Sequence, residues 1–259
     1  MKIAILGCGN MGGAIARGIA SDPILSQIYE LSVSNRSVGK LDVLKNDCPS
    51  VTTHLDNCKA VEGADVVILA VKPWIVEPTL AEIRPLMKNQ ALVTVAAGLP
   101  ISFYEERMPE GLPVFRVIPN TAASIGESMT VIAHNVAGAE KVDTVKAIFN
   151  ALGKVEVIEE RLMGAATSLC SCGTAYILRY VRAAMEGGVE LGLYPDQAKE
   201  MVIQTVKGAV ELLEKSGLHP EAEIDKVTTP GGLTIKGLNK MEQCGFTTAV
   251  IEGLKASVK

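Results

Sequence analysis

The first twenty residues constrain the fold of this chain more than any other segment. An apolar run at residues 3–6 precedes three glycines, which are followed by a stretch of helix-forming residues. A strand, a glycine-rich turn and a helix in this order are typical of dinucleotide-binding βαβ units. The first glycine permits a tight turn, the second lets a pyrophosphate approach the backbone, and the third allows close packing of the helix. We therefore expect a dinucleotide to be bound by Gly7, Gly9, Asn10, Met11 and Gly12.

Composition and charge argue against several other classes of protein. The chain of 259 residues is 48% hydrophobic and 4% aromatic, which predicts an aliphatic core. The net charge of −4 gives no electrostatic support for a nucleic-acid or membrane partner, and no apolar run reaches the roughly 18 residues of a membrane span. Six cysteines without a signal peptide predict reduced thiols in the cytoplasm. Their spacing predicts no metal site, because zinc sites of this kind need four ligands.

Strand and helix patterns alternate up to residue 158. Continuous apolar runs such as residues 66–71 are typical of strands buried on both faces of a parallel sheet. The fold class is therefore α/β, with an N-terminal Rossmann-type, doubly wound sheet. We predict helices near residues 10–21, 38–47, 74–88 and 138–151. We predict strands at residues 2–6, 30–34, 51–53, 65–71, 91–96, 114–118, 129–133 and 155–158.

After residue 158 the pattern changes to helices alone. Helical spacing of Ala, Leu, Met, Glu and Lys predicts helices at residues 160–192, 196–216, 231–243 and 246–257. We therefore predict a nucleotide-binding domain at residues 1–158 and an all-helical domain at residues 159–259. Small residues along the helical segment allow close helix approach, and its apolar surface needs a partner. We expect a homodimer, or a higher homo-oligomer built from dimers.

The end of the second predicted strand indicates which dinucleotide is bound. NAD enzymes usually carry an acidic residue here, which binds the ribose hydroxyls. This chain has Ser34, Asn35 and Arg36 instead. A guanidinium and hydroxyl groups suit a 2′-phosphate, so the sequence favours NADP(H) over NAD(H). A solvated turn is the alternative interpretation.

Two other strand ends carry candidate ligand-binding residues, because ligands of open α/β sheets bind outside the carboxyl ends of the strands. Asn120 follows one predicted strand and suits a hydrogen bond near the nicotinamide, although a simple Pro-Asn turn is the alternative. Lys72 follows another strand and faces the cofactor, the substrate or solvent. The candidate cofactor-binding residues at that second strand end are Ala70, Val71, Lys72 and Pro73.

A Gly-Gly pair near the C-terminus predicts an anion site. Gly231 and Gly232 open a predicted helix and leave its first N–H groups uncovered, with Thr229 as a candidate cap. Such a terminus suits a carboxylate, and Thr234 lies in the first turn. A capped surface helix is the alternative. No catalytic triad is apparent, and a protonated imine, unlike a ketone, accepts a hydride without a proton donor.

Together these motifs resemble the pyrroline-5-carboxylate reductase family. The resemblance spans nearly the whole chain and rests on residues 7–12, 34–36, 70–73, 116–121 and 229–235. It implies NAD(P)H-dependent reduction of 1-pyrroline-5-carboxylate to L-proline by a Rossmann domain and a helical dimerisation domain. It implies an active site where the cofactor of one subunit meets the helices of the dimer.

The same resemblance implies roles for individual residues. Thr234 matches the threonine that hydrogen-bonds the ring nitrogen of the substrate. The substrate carboxylate is expected at Thr229, Gly231, Gly232 and Leu233.

Two segments depart from the family pattern. Residues 170–176 read Cys-Ser-Cys-Gly-Thr-Ala-Tyr where the family usually reads Ser-Gly-Ser-Gly-Pro-Ala-Tyr, and Leu233 replaces a threonine. Two alternatives therefore stay open. One is a related NADP-dependent reductase of another imino or hydroxy acid, and the other is a non-catalytic NADP-binding paralogue.

Overall fold

The computed structural model describes residues 1–258, which form two compact units. The larger unit contains Met1–Ser171 and the smaller one Cys172–Ser257. In the larger unit, one sheet carries eight strands. They are β1 (Lys2–Leu6), β2 (Glu30–Ser34), β3 (Thr52–His54), β4 (Val66–Leu69), β5 (Ala91–Thr94), β6 (Val114–Ile118), β7 (Ser128–His134) and β8 (Gly153–Val157).

The sheet has the strand order β3-β2-β1-β4-β5-β6-β7-β8. The first six strands are parallel, as the alternating pattern predicts. β7 pairs antiparallel with β6, and β8 is parallel to β7. The expectation of a wholly parallel sheet is therefore wrong for the last two strands. Residues 119–127 join β6 to β7, and this is shorter than the dozen or so residues that a parallel crossover needs.

Helices cover both faces of this sheet. The α-helices of the larger unit are α1 (Asn10–Ser21), α2 (Leu25–Ile28), α3 (Val38–Asp47), α4 (Asn57–Val61), α5 (Pro73–Ile83), α6 (Ile101–Glu105), α7 (Val142–Asn150) and α8 (Met163–Ala166). The long helices occur where the apolar periodicity predicts them. α2, α4 and α6 are missed by the sequence prediction, because four or five residues are too few to show a helical period.

Successive side chains of each strand point to opposite faces of the sheet, so the core consists of two clusters, one on each face. Ile3 and Ile5 of β1 pack with α1, α3 and α7 on one face. Ala4 and Leu6 pack with α4, α5 and α6 on the other. Both faces of the central strands are therefore buried, which is the reason that their sequences are apolar throughout.

The smaller unit is all-helical within its described residues, as predicted. Its helices are α9 (Gly173–Glu190), α10 (Pro195–Ser216), α11 (Pro220–Val227), α12 (Leu233–Gln243) and α13 (Phe246–Ala256). In residues 172–257, Ala198 is the one fully buried residue. Among residues 1–258, no helix combines the length and apolarity that a bilayer crossing requires.

Residues 160–171 belong to the larger unit by their contacts. Met163 is buried in the second core cluster, and Arg116 of β6 forms an ion pair of 2.7 Å with Glu160. A π-helical segment, Thr167–Cys172, then precedes α9. The sequence groups residues 159–171 with the helical domain because both are helical, and helical periodicity does not report which unit a helix packs on. The domain limit after residue 158 stays a prediction.

Candidate functional site

The three N-terminal glycines have the geometry that the dinucleotide fingerprint requires. Gly7 has a φ of +104°, and a Cβ there would lie 2.7 Å from the carbonyl oxygen of Ala70. A Cβ on Gly12 would overlap the carbonyl oxygen of Gly7, so the start of α1 is packed tightly on the turn. At Gly9 a Cβ would meet nothing within 4 Å. Gly9 therefore leaves its backbone open to a ligand, at an α1 N-terminus that no side chain caps.

A cavity of about 840 Å³ lies along the carboxyl ends of the parallel strands. This volume is within the range of small-molecule and cofactor sites. Ten of the predicted cofactor-binding residues line it: Gly7, Gly9, Asn10, Met11, Asn35, Arg36, Ala70, Val71, Lys72 and Pro73. The structure therefore brings together segments that are up to 66 residues apart in sequence.

The cavity is positively charged. Four cationic side chains line it, Arg17, Arg36, Lys40 and Lys72, and its described lining contains no aspartate or glutamate. Arg17 pairs with Asp47, whereas the other three cations have no carboxylate partner within residues 1–258 and suit a ligand with several phosphate groups. The cavity therefore fits NADP(H) by its glycine turn, its volume and its charge.

Ser34 does not line the cavity, but it hydrogen-bonds a residue that does. Its side chain is fully buried, and its hydroxyl donates to Oδ1 of Asn57 over 2.6 Å. The Asn57 amide in turn donates to Glu82 over 2.7 Å, and Asn57 itself lines the cavity. Asp56, Cys58 and Glu82 form a neighbouring cluster, in which Asp56 accepts the Cys58 N–H and Glu82 binds Asn57. These contacts fix the position of Asn57.

The side chain of Asn35 is hydrogen-bonded to the glycine turn. Its Oδ1 accepts the N–H of Cys8 over 3.1 Å, and its Nδ2 donates to the carbonyl oxygen of Ser37 over 3.1 Å. The side chain thereby ties the end of β2 to the turn after β1. Arg36 follows it and is exposed.

Asn120 and Gly12 do not line the cavity. Oδ1 of Asn120 accepts the Ala122 N–H over 2.9 Å, and Nδ2 donates to the carbonyl oxygen of Cys170 over 3.0 Å. Asn120 is buried, and both ends of its amide bind the protein. The amide connects the end of β6 to the π-helical segment, and the expected contact with nicotinamide stays a prediction.

Several cavity residues were missed from the sequence, although a usable signal was present. Thr121 and Ser124 follow β6, Asn57 lies just after β3, and residues 95–97 follow β5. All are at carboxyl ends of parallel strands, where the rule for open α/β sheets places ligands. Lys40 lies in the first turn of α3 and has no such signal.

The Gly-Gly segment of the smaller unit forms an uncapped helix terminus. α12 begins at Leu233, two residues later than predicted, and Gly232 is its N-cap. No side chain caps it, so the role of Thr229 as a cap is wrong. Gly231 has a φ of +73°, and a Cβ on Gly232 would overlap the Thr229 hydroxyl. Each glycine is therefore required by local geometry, and the first-turn N–H groups lack intrahelical acceptors.

Both parts of the chain match families of known proteins. Residues 160–259 match the family described as pyrroline-5-carboxylate reductase dimerisation, and residues 2–98 match the family described as NADP oxidoreductase, coenzyme F420-dependent. Pyrroline-5-carboxylate reductase 2 of Dictyostelium discoideum is 37% identical, over 100% of this chain and 91% of that protein. Pyrroline-5-carboxylate reductase 1 of the same organism is also 37% identical, over 98% of this chain, which spans 48% of that longer protein.

Solved structures show the same relationship. The crystal structure of Plasmodium falciparum pyrroline carboxylate reductase with NADP bound has a TM-score of 0.88 and 30% identity, over 99% of this chain and 95% of that chain. The pyrroline-5-carboxylate reductase of Coxiella burnetii has a TM-score of 0.91 and 27% identity, over 98% and 95%. The family and the fold class expected from the motifs are confirmed: the chain belongs to the pyrroline-5-carboxylate reductase family of oxidoreductases.

Proposed function

We propose that the protein reduces 1-pyrroline-5-carboxylate to L-proline with NADPH, the last step of proline biosynthesis. The observation that carries this proposal is the uncapped N-terminus of α12, with Thr234 in its first turn. NADPH supplies the hydride when bound. The cationic cavity of the larger unit supports its binding, through residues 7–12, 34–36 and 70–73.

The α12 terminus binds the carboxylate of the substrate in this proposal. Leu233 is 86% exposed, so the terminus is open within its own unit. The N–H groups of Leu233 and Thr234 point along the helix axis, and the partial positive charge of the terminus favours an anion. Thr229, Gly231 and Gly232 shape the approach to this terminus.

Thr234 is the proposed catalytic residue. Its side chain is exposed. In this proposal its hydroxyl hydrogen-bonds the ring nitrogen of the substrate. The C=N carbon of the protonated imine accepts the hydride, whose electron pair forms the new C–H bond. The π electrons of the C=N bond move to nitrogen, which already carries the proton. The product is an amine, and no side chain needs to supply a proton in this step. Thr234 therefore orients the ring and stabilises the changing charge on nitrogen.

A kinetic experiment tests this function. NADPH oxidation is followed by absorbance with 1-pyrroline-5-carboxylate as substrate. Thr234→Ala removes one hydrogen bond of about 1.5–3 kcal/mol and should lower kcat roughly 10–100-fold. Thr234→Ser keeps the hydroxyl and should restore most of the rate. Thr205→Ala is the matched control, because the Thr205 hydroxyl bonds the Met201 carbonyl of its own helix.

The same assay separates the alternatives. NADPH binding without turnover of 1-pyrroline-5-carboxylate would indicate a non-catalytic paralogue. Turnover of other imino or hydroxy acids alone would indicate a related reductase. Full activity in Thr234→Ala would contradict the role of Thr234.

The proposed assembly is a homodimer through the helical unit, or a larger oligomer built from such dimers. The match to a dimerisation family supports it, and so do the exposed apolar side chains of residues 172–257. We place the protein in the cytoplasm, because all six cysteines are free thiols, which a reducing compartment maintains. Light scattering at micromolar concentration tests the assembly, and a monomeric mass would contradict it.

A further inference from the structure

Three cationic side chains of the cavity, those of Arg36, Lys40 and Lys72, have no side-chain partner within residues 1–258. Arg17 is committed to an ion pair of 2.8 Å with Asp47. Lys45 of α3 donates to the carbonyl oxygens of Pro49 and Val51, each over 2.7 Å. Arg36 and Lys40 line the cavity and make no side-chain hydrogen bond or ion pair in the described part of the chain. Their charges are therefore available to a ligand.

The position of Lys40 is electrostatically unfavourable for the helix that carries it. Lys40 is the third residue of α3, whose first turn contains no acidic residue. A cation in the first turn opposes the helix macrodipole, which favours anions there. A residue that breaks a local rule without a compensating contact is expected at functional positions.

The same helix turn lies against the glycine turn of the fingerprint. The Cys8 thiol contacts the carbonyl oxygen of Lys40 over 3.7 Å. Burial raises the pKa of this thiol, and the charges of Arg17 and Lys40 oppose that rise. Lys40 therefore lies close to the turn that receives the dinucleotide, and it lines the same cavity as Arg36.

We propose that Lys40 is a specificity-determining residue, whose ammonium group binds the 2′-phosphate of NADPH together with the guanidinium of Arg36. This inference rests on the proposed use of NADPH. A phosphate monoester carries a charge of about −1.5 to −2 at pH 7, so it pairs with two cations better than with one. The guanidinium provides a planar fork and the ammonium a compact point charge.

The pair discriminates against NADH. NADH has a neutral hydroxyl where NADPH has the phosphate, so neither cation gains a charged partner from it. Removing the Lys40 charge should therefore weaken NADPH binding and leave NADH binding nearly unchanged.

Isothermal calorimetry with two fragments, 2′,5′-ADP and 5′-AMP, tests the proposal without substrate or turnover. Lys40→Gln should weaken 2′,5′-ADP binding roughly 10-fold, as expected for one charged contact, and leave 5′-AMP binding unchanged. Lys88→Gln is the matched control. Lys88 is exposed, lies outside the cavity lining and gives the same change in net charge. It should alter neither fragment.

Three further measurements distinguish a ligand contact from a structural role. The ligand-free Lys40→Gln protein should melt no lower than the wild type, because the substitution removes a cation from a helix N-terminus. Its 2′,5′-ADP affinity should depend less on salt. The double variant Arg36→Ala/Lys40→Gln should bind 2′,5′-ADP more weakly than either single variant.

Two outcomes would overturn the proposal: equal weakening of both fragments, or no difference between Lys40→Gln and Lys88→Gln. Failure of the wild type to reduce 1-pyrroline-5-carboxylate, with selective 2′,5′-ADP binding intact, would overturn the proposed function and leave the role of Lys40 standing.

Discussion

The two units differ in where their apolar side chains are buried. In the larger unit, helices on both sides of the sheet bury its strands, and side chains such as Ile68 and Phe149 are fully inaccessible. In residues 172–257 the one fully buried side chain is Ala198, and Leu178 of α9 is 63% exposed. The larger unit thus completes a core within one chain. The helical unit leaves an apolar surface that a partner is needed to cover.

The units also differ in how they offer a site to a ligand. The larger unit surrounds a cavity with several strand ends and with unpaired cations. Within its own unit the α12 terminus is an exposed helix end that offers backbone N–H groups. A cavity built by one chain binds a cofactor by itself, whereas an exposed terminus needs further groups to enclose a substrate.

The largest expected effect follows from the core of the larger unit. Phe149 of α7 is fully buried. Phe149→Ala should lower the free energy of unfolding by about 3–5 kcal/mol, through lost burial and a cavity. The loss, measured by chemical denaturation of this unit's transition, should be the same at every protein concentration. A concentration-dependent loss would contradict a core that is complete in one chain.

The corresponding change in the helical unit should act on assembly instead. Leu178→Asp places a charge on its exposed apolar surface and should weaken the dimer by about 2–5 kcal/mol if that surface is the interface. Light scattering should then show a mass that falls on dilution. Val43→Asp is the control, because Val43 is a helical and exposed apolar residue of the larger unit. Equal dissociation in both variants would contradict an interface confined to the helical unit.

A smaller effect is expected on the affinity of the larger unit for its cofactor. Arg36→Ala should weaken NADPH binding by roughly 1.5–3 kcal/mol, or about 10–100-fold, and leave NADH binding nearly unchanged. Fluorescence titration with both cofactors checks this. Equal weakening of NADPH and NADH would show that Arg36 does not bind the 2′-phosphate.

Much of the larger unit follows directly from its sequence. The bounds of β1, β2 and β6 are as predicted, because a strand that is buried on both faces must be apolar and is ended by polar or turn residues. The glycine geometry was predictable for the same kind of reason, since a positive φ and a tight contact both exclude a side chain. The direction of β7 was predicted wrongly, because the apolar pattern of a strand is the same in either direction.

Tertiary contacts explain what the sequence pattern missed. Lys40 lines the cavity because α3 follows β2 closely, and a helical lysine otherwise looks like any solvated one. Thr229 looks like a cap, but the left-handed turn at Gly231 moves the helix start to Leu233. Residues 160–171 look like part of the helical domain, whereas tertiary contacts such as the burial of Met163 and the ion pair of Glu160 with Arg116 tie them to the larger unit.

The smallest expected effect is a difference between the two units in how their stability changes as the pH falls. Burial lowers the pKa of His54 in β3 below its ordinary value of 6.5, with help from Lys2 and Lys59. A hydrogen bond from Lys226 lowers the pKa of Glu223 in α11 below its ordinary value of 4.5. In both cases the unfolded chain binds a proton more readily than the folded one, so each contribution to stability falls as the pH falls.

The two contributions are lost in different pH windows. The His54 contribution is complete above about pH 6.5 and declines below it, whereas that of Glu223 is complete above about pH 4.5. His54→Gln should therefore reduce the loss of stability of the larger unit between pH 7 and about pH 5.5, and Glu223→Gln should leave that interval unchanged. Denaturation midpoints at both pH values measure the difference. An unaltered pH dependence in His54→Gln would show that the folded protein does not hold His54 in its neutral form.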